Sequence, residues 1–280
     1  MTSSFDPPRS AVYDAVKLAL VEDLGILGDI TSLACVDEDQ RAEATFVARA
    51  EGVLAGTALA TETFRQLDAQ VSVVWFVHDG DPVAAGTHLG RVTGPLRSIL
   101  TGERTALNFM CHCSGIATTT HRYVLAAHGS TRVLDTRKTL PGLRAIQRAA
   151  VRAGGGFNHR DSLSDAVLIK DNHVAATGIA KSIERARSTW PGRMIEVECD
   201  SVEQVIEARG AAADRVLLDN MSPEQVRAAV TLLEGAVEVE VSGGVTLETI
   251  GVYAESGADY VSVGALTHSV VVFDIGLDMA

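Results

Sequence analysis

Six short apolar segments in the second half of the chain end in a polar side chain or a glycine. In chain order, these terminal residues are Arg137, Lys170, Glu198, Asp219, Ser242 and Gly264. In parallel α/β folds, ligands bind at the carboxyl ends of the strands, where variable loops and helix N-termini meet. Strands also end simply where polarity begins, but that explanation fits poorly with two cations, two acids and a glycine turn at one edge. The pattern therefore predicts a ligand site at this edge.

The cations near the first two segments indicate an anionic ligand. Arg137 and Lys138 end the first segment, His159 and Arg160 follow a glycine run, and Lys170 ends the second segment. The stretch around His159, taken alone, reads as a flexible surface loop. Beside Arg137 and Lys170 it becomes a candidate wall for a dianion, because arginine offers bidentate contacts to carboxylates.

Two glycine turns at the same edge predict a phosphate site. They are Ser242-Gly243-Gly244, which is expected to open a helix, and Val263-Gly264-Ala265, which follows the last segment. Backbone N–H groups at a helix start can bind phosphate, and glycine lets the backbone approach it. One glycine pair would indicate only a tight turn, but barrels often bind phosphate after their last two strands.

Side chains two residues before the strand ends must share one face, because strands alternate with a period of two. These residues are Asp135, Leu168, Glu196, Leu217, Glu240 and Ser262. If the face is interior, three carboxylates lie one layer beneath the basic rim and need partners. We hypothesise that they orient and neutralise the cations above them when the site is empty. The alternative is that these strands lie at an edge where this face is solvated.

The elements that position this edge fall into two halves with different rhythms. Residues 1–115 read as helix, strand, helix, strands and helix, which predicts an N-terminal α+β open-faced sandwich domain. Residues 116–270 alternate short strands with helices, which predicts parallel strands with right-handed crossovers. An eight-unit barrel needs ~250 residues, so this half could form an open doubly wound sheet or a shortened, about six-stranded α/β barrel. The ring of polar strand ends favours the barrel, and residues 271–280 are expected to pack back on the first domain.

Periodicity and turn signals also predict individual elements. Examples are the helices Ser10–Val21, Ala58–Leu67 and Leu247–Ser256, and the strands Ala42–Ala48, Val133–Arg137 and Tyr260–Gly264.

Composition excludes several classes of partner. A chain with a formal net charge of -12 is repelled by nucleic acid and by anionic membrane surfaces. No segment approaches the ~20 apolar residues of a membrane span, and no basic stretch followed by an apolar run marks a secretion signal. The four cysteines fit neither a zinc site nor a disulfide framework. We therefore expect a cytoplasmic protein with reduced thiols.

Eight motifs extend in register over nearly the whole chain. They are Gly28–Thr31, Glu103–Asn108, Thr136–Arg144, Asn158–Arg160, Leu168–His173, Leu218–Asn220, Ser242–Gly244 and Gly264–His268. Together they resemble the signature segments of the quinolinate phosphoribosyltransferase family (nicotinate-nucleotide pyrophosphorylase, carboxylating). The segment Asp161–Ser164 departs from the more apolar or glycine-rich loop expected there.

The resemblance implies an activity and a set of site residues. The family converts quinolinate and phosphoribosyl pyrophosphate to nicotinate mononucleotide, pyrophosphate and carbon dioxide, with Mg²⁺, in de novo NAD biosynthesis. By resemblance, quinolinate would be held by Arg104, Arg137, His159, Arg160 and Lys170. Phosphoribosyl pyrophosphate and its ribose would contact Lys138, Glu198 and Asp219, and Mg²⁺ would bind Glu198 and Asp219, partly through water. The phosphate would lie at Ser242, Gly243, Gly244, Val263, Gly264 and Ala265.

The resemblance also implies a homodimer. Arg104 lies on the long helix before the barrel, from which it cannot easily reach the barrel mouth of its own subunit. In the family, this arginine comes from the partner of a head-to-tail dimer. Whether such dimers assemble further into a hexamer is left open.

Three other functions are also compatible with the sequence. Lys170 at a strand end could be the Schiff-base nucleophile of an aldolase. Nicotinate phosphoribosyltransferases and molybdenum-transport-associated paralogues share the expected architecture, although the dense basic cluster favours a diacid over nicotinate, which has one carboxylate. A nucleotide-sensing paralogue without turnover is the third, and the presence of Glu198 and Asp219 speaks against it.

Overall fold

The structure is a computed structural model that describes residues 5–129 and 131–280. The elements in chain order are α1 (Arg9–Leu24), α2 (Ile30–Cys35), β1 (Arg41–Ala48), β2 (Gly52–Val53), α3 (Thr57–Leu67), β3 (Ser72–Trp75), β4 (Pro82–Val83), β5 (His88–Pro95), α4 (Leu96–Ala127), β6 (Arg132–Leu134), α5 (Arg144–Ala153), β7 (Val167–Ile169), α6 (Asp171–Thr177), α7 (Ile179–Thr189), β8 (Ile195–Cys199), α8 (Val202–Gly210), β9 (Arg215–Asp219), α9 (Pro223–Leu233), β10 (Glu238–Ser242), α10 (Ile250–Ala254), β11 (Tyr260–Ser262), α11 (Ala265–His268) and β12 (Ile275–Met279).

The chain divides into two compact units. The first comprises Met1–His121, Thr139–Gly155 and Leu266–Ala280, and the second comprises Arg122–Lys138 and Gly156–Ala265. The predicted boundary after residue 115 lies inside α4. The predicted domain ranges stay a prediction, and residues 1–4 of the first range lie outside the described part of the chain.

The first unit is built on an antiparallel sheet in the strand order β12-β1-β5-β3. The ladder between β1 and β12 places Phe46 opposite Leu277. Phe46, Phe64 and Met110 are among the fully buried side chains of its core. The two-residue ladder between β2 and β4 is too short to leave a periodic signal, and the sequence does not predict it.

The second unit contains six parallel strands in the order β6-β11-β10-β9-β8-β7. This parallel sheet and the antiparallel sheet of the first unit confirm the predicted fold class. Among the described residues, the outer strands β6 and β7 form no ladder with each other. The free side of β6 instead carries a bridge from Leu134 to Phe157, whose N–H donates to the Val133 carbonyl at 2.8 Å. The six strands therefore form a sheet that is open between β6 and β7.

Three predicted boundaries are wrong. β6 ends at Leu134 and β11 ends at Ser262, so Arg137 and Gly264 lie beyond their strands. The chain leaves β6 when the N–H of Asp135 pairs with the Phe157 carbonyl. The helix after β10 begins at Ile250 rather than Leu247, because a hydrogen-bonded turn between Thr246 and Thr249 precedes it.

The helices bear on whether the chain could span a membrane. No helix in the described part of the chain, including the 32-residue α4, is apolar over enough residues to cross a bilayer.

The core of the first unit gives a stability prediction. Phe46 is fully buried, and its ring centroid lies 5.0 Å from that of Trp75 and 6.4 Å from that of Phe64. We expect Phe46→Ala to lower the free energy of unfolding by about 3–5 kcal/mol, because the cavity left behind adds to the lost burial. Urea unfolding monitored by circular dichroism measures it. The control is Val74→Ala on β3, where Val74 is 48% exposed; equal losses in both variants would contradict the assignment of Phe46 to the core.

Candidate active site

A cavity of about 330 Å³ lies at the carboxyl edge of the parallel sheet. All six strands, or the residues directly after them, contribute side chains to it. The lining residues are Thr136, Arg137, Lys138, His159, Arg160, Leu168, Lys170, Glu198, Leu217, Asp219, Glu240, Ser242 and Ser262. This volume is within the usual range for small-molecule sites. The structure therefore brings the predicted basic cluster and the two predicted acids of the second unit together at one cavity.

The cations at the cavity are crowded. Burial lowers the pKa of Arg160, and the nearby positive charge of Arg137 lowers it further. Arg160 Nη1 donates a hydrogen bond to the Ala166 carbonyl at 3.0 Å. The buried Nε of Arg137 has no hydrogen-bond partner among the described residues. Two close guanidinium groups with an unused buried donor are what an anionic ligand would satisfy.

Two acids lie at the same rim. Lys170 Nζ forms an ion pair with Glu198. Burial raises the pKa of Asp219, and the negative charge of Glu198 raises it further. Asn220 Nδ2 donates to Asp219 at 2.7 Å and helps fix its carboxylate. Two neighbouring carboxylates, one of which disfavours the charge of the other, are a suitable oxygen donor set for a divalent cation.

Beneath the rim, the face predicted to be interior is buried. Asp135 is 1% exposed, and Glu196 and Glu240 are 0% exposed. Asp135 accepts hydrogen bonds from Asn158 Nδ2 at 2.6 Å and from the His159 backbone N–H at 2.8 Å. The acids beneath the rim therefore hold the 158–160 segment as well as neutralising charge.

The His159 ring lies between the two buried glutamates. Its Nε2 is 2.9 Å from Glu196 Oε2 and 3.3 Å from Glu240 Oε2. Burial lowers the pKa of His159, but the two carboxylates outweigh burial and raise the pKa to about 10. His159 Nδ1 accepts the Arg160 N–H at 2.8 Å. With Nδ1 as the acceptor, the ring hydrogen lies on Nε2, which faces the glutamates.

The same three residues could in principle ligate a metal ion. A ligating Nε2 would have to give up its hydrogen, and the neutral ring would then carry hydrogen on Nδ1. That hydrogen would meet the Arg160 N–H, which already points at His159 Nδ1. The cluster is therefore better described as a histidine whose Nε2 faces two carboxylates than as a metal site.

The first glycine turn lies against the neighbouring strand end. Asn220 N–H donates to the Ser242 carbonyl at 2.9 Å. Gly243 has φ of 93°, and a Cβ there would lie 2.3 Å from Asn220 Oδ1. Gly243 is therefore required both by its backbone conformation and by the close approach of the Asp219-Asn220 turn.

The predicted phosphate residues divide between lining and supporting positions. Ser242 lines the cavity, whereas Gly243, Gly244, Val263, Gly264 and Ala265 are not among its lining residues. Val263 is buried, and its N–H donates to the Leu134 carbonyl at 2.9 Å. Gly264 directly precedes α11, which has only four residues. The phosphate role of these turns stays a prediction.

Three polar lining residues were not predicted as ligand-binding residues. They are Thr136, Glu240 and Ser262, of which Glu240 was predicted only as an inward acid beneath the rim. Ser262 could have been found, because it shares the inward face with the buried acids, but its small hydroxyl gave no charge signal. Arg104 is exposed on α4 within the first unit.

Comparisons with known proteins match this architecture along the whole chain. Models of the quinolinate phosphoribosyl transferase N-terminal and C-terminal domains match residues 29–114 and 116–278. A rice (Oryza sativa subsp. japonica) protein named nicotinate-nucleotide pyrophosphorylase (carboxylating), chloroplastic, is 41% identical over 297 residues, which covers 97% of this chain and 79% of the rice protein. A Bacillus subtilis protein named probable nicotinate-nucleotide pyrophosphorylase (carboxylating) is 43% identical over 263 residues, which covers 92% of this chain and 90% of the Bacillus protein.

A solved structure gives the same result. The nicotinate-nucleotide pyrophosphorylase from Francisella tularensis superposes with a TM-score of 0.94 at 39% identity, covering 100% of both chains. The fold and the cavity define an α/β protein with a cation-lined cavity at the carboxyl edge of a parallel sheet. The chain belongs to the quinolinate phosphoribosyl transferase family.

The Gly243 turn gives a prediction with a matched control. We expect Gly243→Ala to destabilise the protein by more than Gly244→Ala, since both have positive φ but only Gly243 has a close neighbour. An alanine forced into the left-handed region costs about 1–2 kcal/mol, and displacing Asn220 adds to that cost at Gly243. Urea unfolding of both variants measures the difference. Equal losses would show that the approach of Asn220 imposes no constraint.

Proposed function

We propose that this protein is a quinolinate phosphoribosyltransferase of NAD biosynthesis. It transfers the phosphoribosyl group of phosphoribosyl pyrophosphate to quinolinate and releases nicotinate mononucleotide, pyrophosphate and carbon dioxide. Family membership and the names of relatives at about 41% identity over 97% of the chain support this activity. The single observation that carries it in the structure is the crowding of Arg137, Arg160 and Lys170 around one small cavity.

Quinolinate is a good match for this cation arrangement. It carries two adjacent carboxylates, and Arg137 and Arg160 offer paired N–H donors to such groups. Lys170 and His159 line the same cavity, and Lys170 adds positive charge. Nicotinate has one carboxylate and would leave part of this positive charge uncompensated. The crowding therefore favours a diacid substrate.

The transfer step needs stabilisation of a developing positive charge on the ribose. The pyridine nitrogen attacks C1′, and the bond to pyrophosphate breaks with its electron pair leaving on pyrophosphate. Glu198 and Asp219 lie at the rim of the cavity, where their carboxylates can stabilise the oxocarbenium character electrostatically. Lys138 lines the same cavity and would contact the pyrophosphate.

Decarboxylation then follows from the product of the transfer. The carbon–carbon bond to the carboxylate beside the ring nitrogen breaks, and carbon dioxide leaves. The electron pair remains on the ring carbon, where the adjacent positive nitrogen stabilises it until the carbon takes up a proton. Positioning and charge are sufficient for this step, so the protein needs no nucleophile. Lys170 accordingly acts as a cation paired with Glu198 and not as a Schiff-base nucleophile.

Mg²⁺ and phosphate complete the proposed site. Glu198 and Asp219 would hold the ion, partly through water, and a divalent cation would relieve the effect of the Glu198 charge on Asp219. Bound Mg²⁺ would supply charge compensation for the pyrophosphate group. Ser242, Gly243 and Gly244, with Val263, Gly264 and Ala265, would surround the phosphate of the phosphoribosyl group through backbone N–H groups.

We also propose that the working form is a cytoplasmic homodimer. Arg104 is exposed, and in the dimer it would complete the quinolinate site of the partner subunit. All four cysteines are free thiols, which suits a reducing compartment. Further assembly to a hexamer would leave this shared site unchanged.

The defining experiment is a substrate assay. The purified protein is incubated with phosphoribosyl pyrophosphate, Mg²⁺ and either quinolinate or nicotinate, and nicotinate mononucleotide is measured. We expect turnover with quinolinate and at most slow turnover with nicotinate, because one carboxylate cannot satisfy both arginines. Faster turnover of nicotinate would overturn the substrate assignment, and no product from either would overturn the activity.

The shared site is tested by subunit complementation. Arg104→Ala and Lys170→Ala homodimers should each be nearly inactive, since each lacks one ligand-binding cation in every site. Mixing the two under conditions of subunit exchange should restore activity, because a hybrid dimer then contains one site with both residues. Two Lys170→Ala preparations mixed together are the control. Failure of the hybrid to recover activity would argue against donation of Arg104 across the interface.

A further inference from the structure

A buried ionic network runs beneath the cavity, and two of its members, His159 and Glu240, also line the cavity. Arg215 Nη1 lies 3.2 Å from Glu240 Oε2, and Glu240 Oε2 lies 3.3 Å from His159 Nε2. His159 Nε2 is also 2.9 Å from Glu196 Oε2. Glu196 and Glu240 are 0% exposed and Arg215 is 8% exposed. The network therefore spans the interior from the start of β9 to the 158–160 segment.

This network is costly in a site for dianions. Burying carboxylates requires several kcal/mol of compensation per ion, and negative charge close beneath the cavity repels a ligand's carboxylates. A core of apolar residues would avoid both costs. The geometry offers a compensating role, since both glutamate oxygens meet at the same ring nitrogen of His159.

His159 is in turn connected to the ligand-facing arginine. Its ring Nδ1 accepts the Arg160 backbone N–H at 2.8 Å, and the His159 backbone N–H donates to Asp135 at 2.8 Å. Nδ1 therefore accepts a hydrogen bond on one side of the ring, and Nε2 lies within 3.3 Å of two carboxylates on the other. The segment that contains His159 follows Gly154-Gly155-Gly156, which gives it little intrinsic rigidity.

We propose that Glu240, together with Glu196, is a positioning residue that orients the His159 imidazole and through it the Arg160 backbone. The glutamates act through His159 and do not themselves bind substrate, and Arg215 anchors Glu240 from below. For the quinolinate site this inference rests on the proposed function. It assigns a role to an interior layer that is distinct from the cations of the rim.

The test compares two substitutions on the same strand. Glu240→Gln removes the charge that faces His159, whereas Glu238→Gln removes a charge that pairs with Arg215 at 2.8 Å and does not contact His159. We expect Glu240→Gln to raise the KM and the Kd for quinolinate about tenfold, the scale of one hydrogen bond to a charged group. The kcat and the KM for phosphoribosyl pyrophosphate should change much less. Glu238→Gln should leave all of these values unchanged.

A double-mutant cycle separates positioning from a direct contact. If Glu240 acts through His159, the double variant His159→Ala/Glu240→Gln should bind quinolinate no more weakly than His159→Ala alone. Additive losses would overturn the proposal, because they would mean that Glu240 contributes independently of the ring. An equal loss of affinity in Glu238→Gln would also overturn it.

A readout without substrate keeps this inference apart from the proposed activity. Nitrogen-15 NMR of labelled histidine reports the His159 ring, and its resonances should shift in Glu240→Gln but not in Glu238→Gln. If wild-type protein fails to use quinolinate, the proposed function falls while the NMR comparison still decides the positioning role. Unshifted His159 resonances in Glu240→Gln would overturn the positioning role. Should Glu240→Gln not fold, Glu196→Gln is measured in the same cycle and read by the same criteria.

Discussion

The structure depends on one electrostatic constraint, which is that like charges are held together at a small cavity. Arg137 and Arg160 are close enough to lower the pKa of Arg160, and Lys170 and His159 line the same space. Such a cluster is unfavourable unless opposite charge lies nearby or a ligand supplies it. The protein meets this constraint with rim carboxylates that pair with the cations and with interior carboxylates that fix the segment carrying them.

Strand alternation produces these two levels of acid from one sequence pattern. Along β8, Glu198 reaches the rim and Glu196 the interior, since side chains two residues apart share a face. In β10, Ser242 and Glu240 repeat the arrangement, and the ladder places Ser242 beside Asp219. Parallel pairing brings these ends to one edge without any long-range sequence signal. The same short strands therefore carry both the polar residues of the rim and the buried acids beneath it.

Some features of these layers could be predicted from the sequence and others could not. The parallel strands follow from the alternation of strands with helices, the cation cluster from the residues at the strand ends, and the inward acids from period-two alternation. The structure contains the parallel sheet, the cations at one cavity and the buried acids. The partners of the acids do not follow, because the contact between Glu240 and His159 joins residues far apart in sequence. Arg215 gave no signal either, since an arginine at the start of a strand usually lies in solvent, yet it is 8% exposed. The predicted strand ends were wrong where a single tertiary contact determines the end of the strand. The bridge to Phe157 beside β6 is an example.

The residues of the interior network are polar although they are buried. Replacing a buried ion pair by apolar residues of similar size often leaves a protein equally stable or more stable. Glu196, Glu240 and Arg215 are therefore weakly explained by stability alone. They are better explained by orientation, because an apolar layer could pack beneath His159 but could not fix its ring at Nε2. The proposed site, in which two arginines would bind carboxylates in a defined geometry, would gain from that fixation, since misplacement of a bound group by about 1 Å can cost ~10²-fold in rate.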